Sequence, residues 1–103
     1  MPGDGETVEP KALNELPEHC SPYKRTPEFT EASVPKGLLH AHRTKAGTWG
    51  KIVVLEGRLR YRILEPQVVD VDLSPGTLGV VEPGVLHEVL PMGNVHFYVE
   101  FYR

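Results

Sequence analysis

The sequence contains little cysteine and no long apolar run. Its 103 residues include one cysteine, Cys20, so no disulfide can form within the chain. The opening residues are acidic and carry no apolar stretch, which argues against a secretory signal. No part of the sequence approaches the ~18 consecutive apolar residues of a membrane-spanning helix. We therefore expect a cytoplasmic protein that makes no membrane contact.

The chain also has no excess of positive charge. The formal net charge is −3 and the isoelectric point is near 5.9. Nucleic-acid binding needs a basic surface that neutralises phosphates, so the composition predicts no nucleic-acid partner.

Glycine and proline are abundant, and they separate many short apolar runs. The chain has ten of each, and this spacing predicts an all-β fold of about eight strands joined by tight turns. The length suits one domain. We expect residues 1–20 to form an N-terminal arm, partly disordered or packed on the second subunit of a homodimer, and residues 21–103 to form the β-barrel domain.

Alternating and turn-forming residues predict the individual strands. Residues 38–44 read as one extended strand, Glu56-Gly57 as a tight hairpin turn, and residues 91–94 as the last turn. The strand after Gly57 alternates strictly and places three arginines on its outer face. Two aspartates alternate in the same way on the next predicted strand, so we expect cross-strand ion pairs between Arg58, Arg60, Arg62, Asp70 and Asp72.

Three histidines are candidates for a metal site. His40 and His42 would point to the same side of a strand, about 6–7 Å apart, and His87 follows a Pro-Gly turn on a later strand. Neutral imidazoles are common metal ligands, with zinc–nitrogen bonds of ~2.0–2.1 Å. Glu100, on the polar face of the last strand, is a candidate fourth ligand. The competing interpretation is that these are structural histidines and a solvated carboxylate.

The spacing of these residues resembles the cupin superfamily. His40-x-His42 followed by Gly57 is similar to the first cupin motif, and Gly76 followed by Pro83-Gly84-x-x-His87 is similar to the second. Gly50 stands where the first motif usually has a glutamate. The run from His42 to Gly50, with the later Val-Leu-Glu-Gly and Val-Glu-Pro segments, further resembles the TehB-type and small YeaR-type cupin domains over residues 23–103.

The resemblance implies a double-stranded β-helix, or jelly-roll barrel, with the metal ligands His40, His42, His87 and Glu100. It implies one divalent transition metal, zinc, iron, nickel or manganese, and a small-molecule or oxyanion ligand. The function it favours is a stand-alone metal-binding cupin linked to tellurite or other stress resistance. A non-enzymatic binding or sensing module and a thiol-dioxygenase-like metalloenzyme remain open alternatives, so enzymatic activity is undecided.

Overall fold

The computed structural model describes residues 15–103 and consists almost entirely of β-strands. In the described part there are seven strands and one short helix. They are β1 (Pro22–Arg25), β2 (Phe29–Thr30), α1 (Lys36–Leu39), β3 (His42–Arg43), β4 (Trp49–Ile63), β5 (Val69–Leu73), β6 (Gly79–Val81) and β7 (Leu86–Tyr102). The all-β prediction is confirmed.

Two long antiparallel strands, β4 and β7, form the frame of the sheet. Their pairing runs from Trp49↔Tyr102 to Ile63↔His87 and shifts register on both sides of Gly57. Gly57 has φ +79°, and a Cβ there would lie 1.9 Å from the Asn94 carbonyl oxygen. The prediction of turns at Glu56-Gly57 and at residues 91–94 is therefore wrong, because a glycine bulge lets both strands continue.

Shorter strands extend the sheet differently at the two ends of this frame. β1 and β2 pair with the carboxyl-terminal half of β7, and β6 pairs with the first half of β4. At the other end β3 pairs with the start of β7, and β5 pairs with the second half of β4. The sheet does not close on itself in the described residues. The structure thus shows an antiparallel sheet and does not confirm the predicted jelly-roll barrel.

The segment directly before His40 is not the expected strand. Residues Lys36–Leu39 form one helical turn, closed by a hydrogen bond from the Leu38 amide to the Pro35 carbonyl, 3.0 Å. Pro35 has φ −61°, which allows a helical turn to begin directly after it. Only His42 and Arg43 remain a paired strand, and His40 is the residue that ends the helical turn, with extended backbone angles of φ −118° and ψ 161°.

The core lies along the inner face of the sheet, and the outer face carries charge. The largest fully buried side chains are Ile52, Leu59, Leu73 and Phe97. On the outer face the predicted ion pairs are present: Arg62 Nε lies 2.7 Å from Asp70 Oδ1, Arg60 Nε lies 3.2 Å from Asp72 Oδ1, and Arg58 Nη2 lies 3.3 Å from Asp72 Oδ2. No helix among residues 15–103 is long and apolar enough to cross a membrane.

Candidate ligand pocket

A cavity of about 410 Å³ opens on the inner face of the sheet. Its volume lies within the range of pockets that hold small molecules, ~300–1,000 Å³. Both ends of the frame contribute to it, and the buried part of its wall is mainly apolar. That wall includes Ile52, Val81, Val89, Phe97, Val99 and Phe101.

Two histidines, the half-buried His42 and the buried His87, contribute polar groups to the pocket wall. His42 and His87 are direct cross-strand partners of β3 and β7, and their ring centroids lie 4.2 Å apart. The Tyr61 ring packs edge-on against His87 at 5.7 Å. His87 is 6% exposed, and this burial lowers its pKa because the charged imidazolium loses water. The backbone hydrogen bond to Val85 raises that pKa in part, and the neighbouring His42 ring lowers it by a smaller amount.

The backbone determines which nitrogen of each ring carries the proton. His42 Nδ1 lies 2.9 Å from the His40 carbonyl oxygen, and His87 Nδ1 lies 2.8 Å from the Val85 carbonyl oxygen. A carbonyl oxygen only accepts, so each Nδ1 donates its hydrogen. In the neutral rings Nε2 then has a lone pair, which makes each histidine a hydrogen-bond acceptor for a bound molecule.

The opening of the pocket is positively charged. No aspartate or glutamate lines it among the described residues. The exposed basic residues that line it are Lys24, Arg43, Lys45 and Arg103. Glu65 binds Arg43 through two contacts, 2.8 Å and 3.1 Å, and the Arg103 guanidinium lies over the Tyr23 ring at 4.0 Å. The lysines carry their charge at the opening in exposed positions.

Two hydroxyl groups complete the polar wall. Thr48 is 6% exposed, and its Oγ1 lies 3.4 Å from the Tyr23 hydroxyl. Thr44 Oγ1 is buried without a hydrogen-bond partner within the described part of the chain. Thr44 follows His42 by two residues and also lines the pocket, so both residues contribute polar groups to one wall.

Of the four predicted ligands, the structure brings two together. His40 is exposed and contributes its carbonyl oxygen to His42 rather than its ring to the pocket wall. Glu100 lies on the face of β7 opposite Val99, where it contacts Tyr102 and two basic residues. Those contacts lower the pKa of Glu100, the hydrogen bond from the Tyr102 hydroxyl most of all.

The sequence alone did not reveal the basic opening, nor that Leu38 also lines the pocket. Lys24 pairs across strands with Phe101, and Arg103 follows the last strand, so both reach the pocket through pairing that no local pattern reveals. Thr44 was detectable, because it shares the alternation of His42. The apolar alternation of Phe97, Val99 and Phe101 was also visible and marks the inner wall.

Known proteins resemble this chain in sequence and in fold. Residues 24–99 match the family described as TehB-like domain. The "Probable S-adenosyl-L-methionine-dependent methyltransferase TehB" of Haemophilus influenzae strain Rd is 44% identical over 39 residues, which cover 38% of this chain and 14% of that protein. Its counterpart from strain 10810 is 34% identical over 71 residues, or 65% of this chain and 25% of that protein.

Two crystal structures share the fold. TehB from Haemophilus influenzae superposes with a TM-score of 0.75 and 31% identity, over 81% of this chain and 31% of that one. A protein from Escherichia coli K12 superposes with a TM-score of 0.80 over 86% of this chain and 95% of that one, at 18% identity. The chain thus spans a third or less of the TehB proteins that it matches.

These findings correct the predicted function and cofactor. The prediction of a metal-binding cupin with one divalent transition metal is wrong, because the relatives bear the name of S-adenosyl-L-methionine-dependent methyltransferases. The geometry gives the physical reason. Among residues 15–103 no group of three or more histidine, cysteine, aspartate or glutamate side chains could hold a metal ion. The helical turn moves His40 away, and strand alternation puts Glu100 on the other face.

The matched segment covers most of β1 to β7, including the histidine pair and the pocket wall as far as Val99. The chain belongs to the TehB-like domain family.

Proposed function

We propose that this chain is a methyltransferase-related domain that binds a small molecule in its pocket. In this role it holds a molecule for a methyltransferase that uses S-adenosylmethionine. The observation that carries the proposal is the pocket itself: a cavity of about 410 Å³ with an apolar wall, two adjacent imidazoles and a charged opening. A few polar groups in a mainly apolar concavity are typical of small-molecule sites.

S-adenosylmethionine itself does not fit this pocket. Its sulfonium and ammonium groups are cations, whereas the opening is basic and no aspartate or glutamate lines the pocket among residues 15–103. Repulsion between these cations and the basic side chains of the opening weakens binding. We therefore propose that the methyl donor binds outside this chain and that the pocket holds another molecule.

The test is a fluorescence titration of the purified protein with N-phenyl-1-naphthylamine, an uncharged apolar dye. We expect saturable binding at one site per chain and no competition by S-adenosylmethionine. Leu38→Trp should abolish the binding, because Leu38 lines the pocket and a larger side chain there reduces its volume.

The matched control is Leu55→Trp. Leu55 is 40% exposed, and it does not line the pocket. This variant should bind the dye like the parent protein, and circular dichroism should show that both variants are folded. Absence of dye binding in the parent protein, or equal binding in both variants, would refute the pocket assignment. Displacement of the dye by S-adenosylmethionine would place the methyl donor in this chain.

The fold also supports a second proposal, which describes the architecture more specifically than an antiparallel sheet. We propose that the bends of β4 and β7 at their register shifts curl the sheet around the pocket as in a jelly-roll barrel. Support comes from the pocket wall, which combines residues of both ends of the frame, such as His87 and Phe101.

A further inference from the structure

We infer that the pocket selects an organic anion with an apolar body and a hydrogen-bond donor at its inner end. This inference rests on the proposed function, since it names the chemical class of the molecule that the pocket holds. It follows from three features of one cavity: the paired histidine acceptors, of which His87 is buried, the apolar wall, and the exposed basic residues at the opening.

The histidines require a donor at the inner end. Both Nδ1 atoms are committed to backbone carbonyl oxygens, so the Nε2 atoms of His42 and His87 are acceptors in the neutral rings. Their rings are adjacent, with centroids 4.2 Å apart. A hydroxyl or N–H group of the ligand can satisfy one of them, whereas a carboxylate placed there would meet another lone pair.

The apolar wall requires a carbon skeleton between the two ends. Ile52, Val89 and Phe97 are each at most 3% exposed and line the same cavity as the two histidines. A small inorganic oxyanion would leave this wall without contacts. An aromatic or branched aliphatic body removes apolar surface from water, at about 25 cal/mol per Å².

The opening requires negative charge at the outer end. Lys24 and Lys45 are exposed residues of the pocket lining, and Arg103 lies over Tyr23 beside them. The fourth basic residue, Arg43, is held by Glu65, so its charge is largely compensated. An anionic group of the ligand at this position gains attraction from the remaining cations, and an ammonium group is repelled.

The experiment measures displacement of N-phenyl-1-naphthylamine by four compounds of similar size. They are 3-(4-hydroxyphenyl)propanoate, 3-phenylpropanoate, 4-propylphenol and tyramine, which vary the charge and the hydroxyl separately. We expect the hydroxylated acid to bind most tightly. Loss of its hydroxyl should weaken binding about twofold to tenfold, as expected for one hydrogen bond. Tyramine should bind most weakly.

Variants of the opening then locate the charge preference. Lys24→Gln and Lys45→Gln should each weaken binding of the hydroxylated acid about twofold to fivefold and leave 4-propylphenol unchanged. Lys36→Gln is the control, because Lys36 is an exposed lysine on α1 that does not line the pocket. It should change neither affinity.

The outcomes separate this inference from the proposed function. If the dye binds but all four compounds displace it equally, or tyramine displaces it best, the anion inference is wrong and the pocket assignment stands. If removal of the phenolic hydroxyl leaves the affinity unchanged, the histidines are not acceptors for the ligand. If the dye does not bind the parent protein, the proposed function fails together with the inference.

Discussion

The two faces of β7 are built from alternating residues of one strand, yet they have different properties. The inner face carries Phe97, Val99 and Phe101, which are buried or half-buried and line the pocket. The outer face carries Tyr98, Glu100 and Tyr102, which are half-buried and contact basic side chains. The strand thus separates a region that retains an open cavity from a region whose polar groups satisfy one another.

The difference shows where this domain has unused binding capacity. On the outer face Glu100 accepts a hydrogen bond of 2.8 Å from the Tyr102 hydroxyl and lies 3.4 Å from both Arg25 Nη2 and Lys51 Nζ. On the inner face Nε2 of both histidines and the buried Thr44 hydroxyl are available for a further hydrogen bond within the described structure. Stability is therefore expected to depend on packing inside and only weakly on charge outside.

The largest effect is expected for Phe97→Ala. Phe97 is 0% exposed and packs edge-on against Phe29, with ring centroids 5.7 Å apart. Truncation removes this packing and leaves a void, so the free energy of unfolding should fall by about 3–5 kcal/mol in urea titrations. Tyr98→Ala, one residue away on the outer face, is the control and should cost clearly less. Equal losses would contradict the division into a packed and a polar face.

A pH-dependent effect is expected for the histidine on the inner face. Burial lowers the pKa of His87, so between that value and about 6.5 the unfolded chain binds a proton more readily than the folded protein. The contribution of His87 to stability is complete above about pH 6.5, and it is lost as the pH falls through the lower folded-state pKa. Unfolding titrations at several pH values should show this loss in the parent protein.

In His87→Gln the part of the pH dependence that is due to His87 should disappear. His19→Gln is the matched control, because His19 is exposed and is not one of the residues that line the pocket. It should keep the pH dependence of the parent protein. An unchanged pH profile in His87→Gln would show that the buried imidazole does not control acid stability.

The smallest effect is expected for Glu100→Gln on the outer face. Its pairs with Arg25 and Lys51 are partly exposed, so at neutral pH their loss should cost about 1 kcal/mol or less. The Tyr102 hydroxyl and the two basic residues lower the pKa of Glu100, which means that its contribution is present above the unfolded-state pKa and is lost in acid. The difference between parent and variant should therefore vanish on acidification. A loss as large as that of Phe97→Ala would reverse the comparison.

Much of the strand content was predictable, since it depends on local alternation. Leu59 and Tyr61 were expected to face inward and are 0% and 3% exposed, and Arg60 and Arg62 form the expected cross-strand ion pairs. The expected turn at Glu56-Gly57 was wrong, because glycine suits a hairpin turn and a bulge equally well. Only the close approach of Asn94 decides between them.

The candidate site was half predictable for a related reason. His42 and His87 lie next to each other through the pairing of β3 with β7. His40 lies outside the pocket wall because the strand predicted over residues 38–44 begins only at His42, and Lys36–Leu39 form a helical turn instead. Glu100 lies on the polar face of β7, as its alternation with Val99 predicted, and that face is opposite to the one that carries the pocket wall.

The sequence by itself determined the class of the fold and the two faces of each long strand, since both follow from short-range alternation and from turn residues. The tertiary structure decided that β4 continues through Gly57, that His42 and His87 meet without His40 and Glu100, and that basic residues far apart in the chain line one opening. These features depend on contacts between residues far apart in the chain, such as Lys24 with Phe101, which local patterns do not encode.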